Sequence, residues 1–149
     1  MCLVMKNFKL FLSAILLVSL ITSCKKDTTN VRDKFLGTWT GTINLIIPAL
    51  GTNGGKVEIL TITAGTASAS QIILTQTGST VVPTGNVSGS TYTYDEYSST
   101  AVSNGVTITS KFDGTGTING NTITESGTIV YTIGTATYPG TWSSSLTKQ

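Results

Sequence analysis

The residues of this chain that could do chemistry are two glutamates and a group of aromatic side chains. Glu96 and Glu125 lie at inward-facing positions of predicted strands, and Tyr92 and Tyr94 share the strand of Glu96. A carboxylate inside a β domain is costly unless it is paired or hydrogen-bonded. Each glutamate is therefore either a polar group that holds a ligand, or an acid at a bulge or strand end that reaches solvent.

The residue types exclude most familiar catalytic sites. The chain has no histidine, and its two cysteines, Cys2 and Cys24, lie near the N-terminus. Ser-His-Asp catalysis, Cys-His catalysis and zinc sites built from His and Cys are therefore excluded. Two carboxylates roughly 5 to 9 Å apart can cleave glycosides, so a catalytic pair of Glu96 and Glu125 is a third alternative. We expect a protein that is not an enzyme and that holds no metal or cofactor.

The candidate ligand-binding residues combine the two glutamates with the large aromatic residues of the predicted inner face. They are Trp39, Tyr92, Tyr94, Glu96, Glu125, Tyr131, Tyr138 and Trp142. Strict alternation along one strand places Tyr97 on the opposite face from Tyr92 and Tyr94. The three tyrosines are therefore not expected to share one surface.

Alternation of apolar and polar residues predicts that β-strands position these side chains. From Val106 to Ile118 the even-numbered residues are apolar or small, and the odd-numbered residues are all polar. This period of two is typical of a strand with one solvated face. The same type of pattern, with the turn signals between segments, predicts further strands at 35–47, 56–63, 71–77, 79–88, 91–98, 122–133 and 135–147.

About eight strands in series fit an antiparallel up-and-down β-barrel or a two-sheet β-sandwich. Inward-facing glycines favour the barrel, because strands bend sharply at barrel corners where a Cβ would clash. "LGTWTGT" opens the domain and "PGTWSSS" nearly closes it, so the first and last strands are candidates for pairing. Such pairing leaves no exposed sheet edge. We predict that residues 35–149 form an all-β barrel and keep the sandwich as the alternative.

The N-terminal residues indicate export. Lys6 and Lys9 accompany an apolar run at 10–21 that is too short for a bilayer span of about 20 residues. A positive region, a short apolar run and an exit of small residues are typical of a secretory signal peptide. We therefore expect the chain to leave the cytoplasm.

Ile21-Thr22-Ser23-Cys24 resembles the lipobox of bacterial lipoproteins. The resemblance implies that 1–23 is a signal peptide, and that Cys24 becomes the first residue and carries acyl chains such as palmitate. Residues 24–34 are polar and charged, and we expect them to form a flexible tether. Lys25 does not resemble the aspartate that retains some lipoproteins at the inner membrane, so attachment to the outer membrane is favoured. Neither leaflet of that membrane is preferred.

Gly37-Thr38-Trp39 on the first strand resembles the G-x-W signature of lipocalins and other calycins. "FLGTWTGT" and "GTWSSSLTK" resemble the ends of lipocalin-like lipoproteins of the Bacteroidota. The resemblance implies that Trp39 plugs the closed end of a barrel and that a basic residue of the last strand packs across it. Lys148 is the candidate for that role. It also implies a small hydrophobic ligand.

Charge gives no support to a nucleic-acid partner. From Phe35 onward three basic residues face five acidic ones, and a phosphate-binding surface needs clustered cations. We therefore expect a lipid-anchored cell-envelope protein that binds a small apolar or amphipathic molecule in its barrel. The alternative is a filled barrel that acts as a structural or protein-interaction module of the outer membrane.

Overall fold

The computed structural model describes residues 30–149. The predicted signal peptide at 1–23 and the predicted lipid-attachment residue Cys24 lie outside this range. Within the described range, no helix is both long enough and apolar enough to cross a membrane.

The described residues form eight β-strands and two single turns of 3-10 helix. The turns are Asp33–Phe35 and Pro48–Leu50. The strands are β1 (Gly37–Ile47), β2 (Thr52–Ala64), β3 (Gln71–Gln76), β4 (Thr84–Ser88), β5 (Thr91–Ser103), β6 (Val106–Asn119), β7 (Thr122–Ile133) and β8 (Ala136–Lys148).

The strands form one closed antiparallel barrel in the order of the sequence. β1 pairs with β8 as well as with β2, and Trp39 lies opposite Lys148 in the β1–β8 register. The predicted barrel and the pairing of its first and last strands are therefore confirmed, and the sandwich alternative is excluded. The period of two arises because successive side chains point into and out of the barrel wall.

The strand boundaries differ most from the prediction in β2, β4 and β5. β2 begins at Thr52 rather than at residue 56. β4 begins at Thr84 rather than at residue 79, and its ladder with β3 has only three residue pairs. β5 continues to Ser103, five residues beyond the predicted end of this strand at residue 98. The turn that follows is Asn104-Gly105, and both residues have positive φ. This conformation matches the tight hairpin turns that Asn-Gly pairs favour.

The two ends of the barrel differ. At one end, which we call the closed end, lie the β2–β3, β4–β5 and β6–β7 hairpins and the 3-10 turn at Asp33–Phe35. The C-terminus is at the same end, because the Gln149 backbone N–H donates to the Thr38 carbonyl at 3.0 Å. The other four hairpins surround the opposite end, which we call the mouth.

Arg32 fastens the first described residues to the closed end. Its guanidinium donates to the carbonyls of Gly65, Ser68 and Gln71 at 2.9, 2.9 and 3.1 Å. Phe35, at the end of the following 3-10 turn, is fully buried. Residues 30–34, which the sequence assigns to the tether, therefore contact the barrel.

Candidate functional site

A plug of aromatic side chains fills the closed end. The Trp39 indole N–H donates to the Phe35 carbonyl at 2.8 Å, and both side chains are fully buried. The Lys148 Nζ lies 5.2 Å from the centroid of the Trp39 ring, as the calycin resemblance implies. Phe35 packs edge-on against Tyr92. Trp39 and Tyr92 are thus part of the plug and do not line a cavity.

A cavity of about 500 Å³ occupies the half of the barrel toward the mouth. Four of the predicted candidates line it: Tyr94, Glu125, Tyr131 and Trp142. Aliphatic residues of β1, β2 and β3 form much of the remaining wall: Ile43, Leu45, Leu60 and Leu74. Tyr138 is half-buried opposite Tyr131 in the β7–β8 ladder, but it is not a lining residue.

Glu125 is buried at the floor of this cavity, and three hydroxyl groups hold its carboxylate. The Tyr92 hydroxyl donates to Oε1, and the Tyr94 hydroxyl donates to the same oxygen at 2.8 Å. The Ser144 hydroxyl donates to Oε2. Such charge-assisted bonds are roughly twice as strong as neutral ones. The carboxylate therefore has its partners within the protein, and the prediction that Glu125 faces inward is confirmed.

The same network keeps the tyrosines protonated. Burial raises the pKa of the Tyr92 and Tyr94 hydroxyls, and the charge of Glu125 raises both further. Both hydroxyls therefore stay protonated well above neutral pH and act as donors there. They are committed to Glu125 and are not free to bind another acceptor.

Glycines leave room for the rings around Glu125. A Cβ at Gly116 would overlap the ring of Tyr92, and a Cβ at Gly127 would overlap the Asp113 carbonyl. That carbonyl accepts a hydrogen bond from the Trp142 indole N–H at 2.9 Å. The small residues of β6 and β7 therefore let the neighbouring strands and large rings approach closely, as at a barrel corner.

Glu58 is a second buried acid, and the sequence prediction missed it. Its side chain lines the cavity and is only 7% exposed, and its Oε2 atom has no hydrogen-bond partner. Burial raises the pKa of Glu58 to about 7, and the nearby charge of Glu125 adds to this effect. Alternation along β2 was the available signal, because Glu58 has the parity of the buried Leu60 and Ile62.

A β-bulge in β5 excludes the inward position predicted for Glu96 and leaves the alternative in which this acid reaches solvent. The β5–β6 register shifts between Tyr94 and Tyr97, so β5 carries one extra residue there. An extra residue reverses which face the following side chains point to. Glu96 is consequently on the outside, where it forms an exposed ion pair with Lys111 at 3.2 Å.

Tyr97 takes the inward position that was predicted for Glu96. It lines the cavity and stacks on Phe112 with ring centroids 5.2 Å apart. Tyr94 stacks on Trp142 at 5.7 Å, and Tyr94 and Tyr97 are 6.4 Å apart. These four rings form one aromatic wall, contrary to the prediction that Tyr97 is separated from Tyr94. Burial raises the pKa of Tyr97 to about 12.

The structure separates the two glutamates that the sequence offered as a catalytic pair. Glu96 and Glu125 lie on opposite sides of the barrel wall, so they cannot act on one substrate. Within residues 30–149, no three His, Cys, Asp or Glu side chains are grouped as a metal site would require. What the site offers is an aromatic wall, an aliphatic wall and one buried carboxylate oxygen without a partner.

Comparison with known proteins does not identify a family for the chain. No protein-family model matches the chain, and no curated protein matches it. Among solved structures, the chain is similar to a protein of unknown function from the DUF3598 family of Nostoc punctiforme. The two are 13% identical with a TM-score of 0.48, and the match covers 78% of this chain and 48% of that one. The chain thus spans about half the length of that protein.

Proposed function

We propose that this protein binds a small apolar or amphipathic molecule inside its barrel. The observation that carries the proposal is the cavity of about 500 Å³ between the aromatic plug and the mouth. Pockets for small molecules typically have volumes of about 300–1,000 Å³ and are lined mainly by apolar and aromatic groups with a few polar ones. The walls formed by Leu60, Leu74, Tyr94 and Trp142 have this character.

The plug determines how a ligand enters. Phe35 and Trp39 are fully buried and close one end of the barrel. The lining also includes residues near the mouth, such as Thr52, Ser79 and Pro83. A ligand therefore enters between the hairpins of the mouth and leaves by the same route.

The cavity also distinguishes this function from the alternative of a filled structural module. A filled barrel needs side chains that occupy the interior, whereas small residues line this one at Gly54, Gly55, Ser99 and Ser110. The space that they leave favours a ligand-binding barrel. We propose a non-enzymatic role as well, because the Tyr92, Tyr94 and Ser144 hydroxyls are committed to Glu125 and are not free to act on a substrate.

Native mass spectrometry of the full chain, released gently from detergent micelles, tests the binding function. We expect an additional mass of a few hundred daltons that is lost on denaturation. Ser110→Phe places a ring in the cavity and should abolish this mass, whereas Thr107→Phe, on the exposed face of the same strand, should keep it. A clean mass in the wild type, unchanged after incubation with an envelope lipid extract, would refute the proposal.

The second part of the proposal is a lipid anchor at Cys24 in the outer membrane of the cell envelope. Its support is the lipobox-like Ile21-Thr22-Ser23-Cys24 after a short apolar run. Acyl chains contribute about 0.8 kcal/mol per buried methylene, so two or more give a lasting attachment. Labelled palmitate should enter the wild-type chain and not a Cys24→Ala variant. Equal labelling of both would contradict the anchor.

A further inference from the structure

The free carboxylate oxygen of Glu58 is the one feature of the cavity that the protein itself does not explain. Oε2 is buried, has no partner and belongs to a side chain that lines the cavity. Buried polar groups in native proteins nearly always have a hydrogen-bond partner, and an exception calls for a missing donor. The partner expected here is a donor that comes from outside the chain.

The groups that face Glu58 do not supply that donor. The charge that acts on Glu58 is that of Glu125 on β7, and the charge of Glu58 in turn acts on the neutral Tyr92 and Tyr97 hydroxyls of β5. The Tyr97 hydroxyl does not donate to Oε2. Tyr92 already donates to Glu125. On its own strand, Lys56 lines the cavity on the same face as Glu58, but its side chain is exposed. It forms no ion pair with Glu58, since the pair of Glu96 with Lys111 is the only one within residues 30–149.

The interior is therefore acidic. Two carboxyl groups, Glu58 and Glu125, are buried in the cavity, and like charges there disfavour each other. The cation that lines the cavity, Lys56, is exposed and pairs with neither of them. An anionic ligand would add a third negative charge. A cation would neutralise the site, and a cation with an N–H group would also satisfy the free oxygen.

We propose that the ligand is an organic ammonium ion, in which a protonated amine donates to Glu58 and an apolar body lies against the aromatic wall. This inference rests on the proposed binding function and specifies its ligand class. The wall formed by Tyr94, Tyr97, Phe112 and Trp142 supports it independently. Cations are attracted to the faces of aromatic rings, and more strongly when water is excluded.

The binding should depend on pH in a defined direction. Glu58 ionises as the pH rises through about 7, and only the ionised form attracts an ammonium group fully. The amine itself remains protonated until well above this pH. Affinity for an amine should therefore rise between pH 5.5 and pH 8, whereas affinity for a neutral molecule of the same shape should change little.

Three probes with one body and different head groups test the ligand class. They are 2-phenylethylammonium, 2-phenylethanol and phenylacetate, titrated into the full chain in a mild detergent by isothermal calorimetry. At pH 8 we expect the ammonium to bind about tenfold or more tightly than the alcohol, and phenylacetate to bind most weakly. Equal affinity for the three, or tightest binding of phenylacetate, overturns the inference.

Two variants test whether Glu58 causes the preference for the ammonium probe. Glu58→Gln should lower the affinity for 2-phenylethylammonium about tenfold and leave that for 2-phenylethanol nearly unchanged. Glu96→Gln removes one negative charge from the outer surface and should change the affinity for neither probe. This control shows whether an effect of Glu58→Gln comes from the cavity or from the change in net charge. Unchanged ammonium affinity in the Glu58 variant overturns the inference.

The alcohol separates this inference from the function on which it depends. If 2-phenylethanol binds as tightly as the ammonium, the binding barrel is supported and the ammonium preference is wrong. If no probe binds and the purified chain also carries no extra mass in native mass spectrometry, both proposals fail.

Discussion

Replacement of Glu58 by glutamine should stabilise the free protein, and the size of the effect should depend on pH. In the folded state the buried carboxyl has a pKa of about 7, against an ordinary value of 4.5. Below pH 4.5 it is protonated in both folded and unfolded chains and has no effect. Between these values the unfolded chain releases its proton first, so the free energy of unfolding falls as the pH rises.

The magnitude follows from the two pKa values. A difference of one pKa unit corresponds to about 1.4 kcal/mol, so above pH 7 the ionised Glu58 costs about 3 kcal/mol. At pH 5 the Glu58 carboxyl is already ionised in most unfolded chains, so part of this cost is present there. The stability of Glu58→Gln relative to the wild type should therefore increase by about 2–3 kcal/mol between pH 5 and pH 8.

Urea unfolding at the two pH values measures this change. The buried Trp39 and Trp142 provide the fluorescence signal. Comparison between the two pH values cancels the fixed cost of a buried amide, which is the same at both. Glu96→Gln is the matched control and should lose at most about 1 kcal/mol of an exposed ion pair. A Glu58→Gln effect that is equal at pH 5 and pH 8 would refute the assignment of Glu58 as an unpaired buried acid.

Three further substitutions should destabilise the barrel, each for a different reason and each measurable by urea unfolding. Glu125→Ala leaves three buried hydroxyls without their acceptor and should cost more than about 3 kcal/mol; a loss below about 1 kcal/mol would contradict the network. Gly127→Ala places a Cβ against a backbone carbonyl and should cost about 1–3 kcal/mol, whereas Gly54→Ala meets no atom; similar losses for both would contradict the close approach. Arg32→Ala removes a charged donor from three carbonyls and should cost about 1.5–3 kcal/mol; an unchanged midpoint would contradict the docking of this segment.

The barrel could be predicted from the sequence because most of its strands alternate without interruption. The inward parity of Trp39, Glu125 and Trp142 followed from regular strands and is present in the structure. Regular alternation works because one face is buried throughout, and a slip of one residue would expose that entire face. The candidates on uninterrupted strands were therefore placed on the correct face.

The error at Glu96 arose where that regularity ends. The bulge adds one residue to β5, and strict alternation then places Glu96 inward and Tyr97 outward. The energetic cost of burying a charge offered a signal in the sequence. Placing Glu96 outward and Tyr97 inward hydrates the charge and buries the aromatic ring. The adjacent charges of Asp95 and Glu96 are both exposed in the structure and mark the position of the bulge.

For Glu58 the sequence predicts the position of the side chain but not its lack of a hydrogen-bond partner. Alternation alone places it inward with Leu60, so its position was accessible from the sequence. Its lack of a partner was not accessible, because that depends on the committed hydroxyls of other strands, far away in sequence. The difference between a satisfied acid and a free one is a property of the tertiary structure.

An even number of antiparallel strands returns the chain to the end of the barrel where it started. Arg32, close to the first described residue, and Gln149, the last one, are accordingly both at the closed end, where they donate to the Gly65 and Thr38 carbonyls. A fusion partner attached at Gln149 would therefore lie on the side away from the mouth and leave entry unobstructed. If Cys24 is anchored as we propose, the chain that comes from the anchor joins the barrel at the plug, and the hairpins of the mouth stay free to receive a ligand.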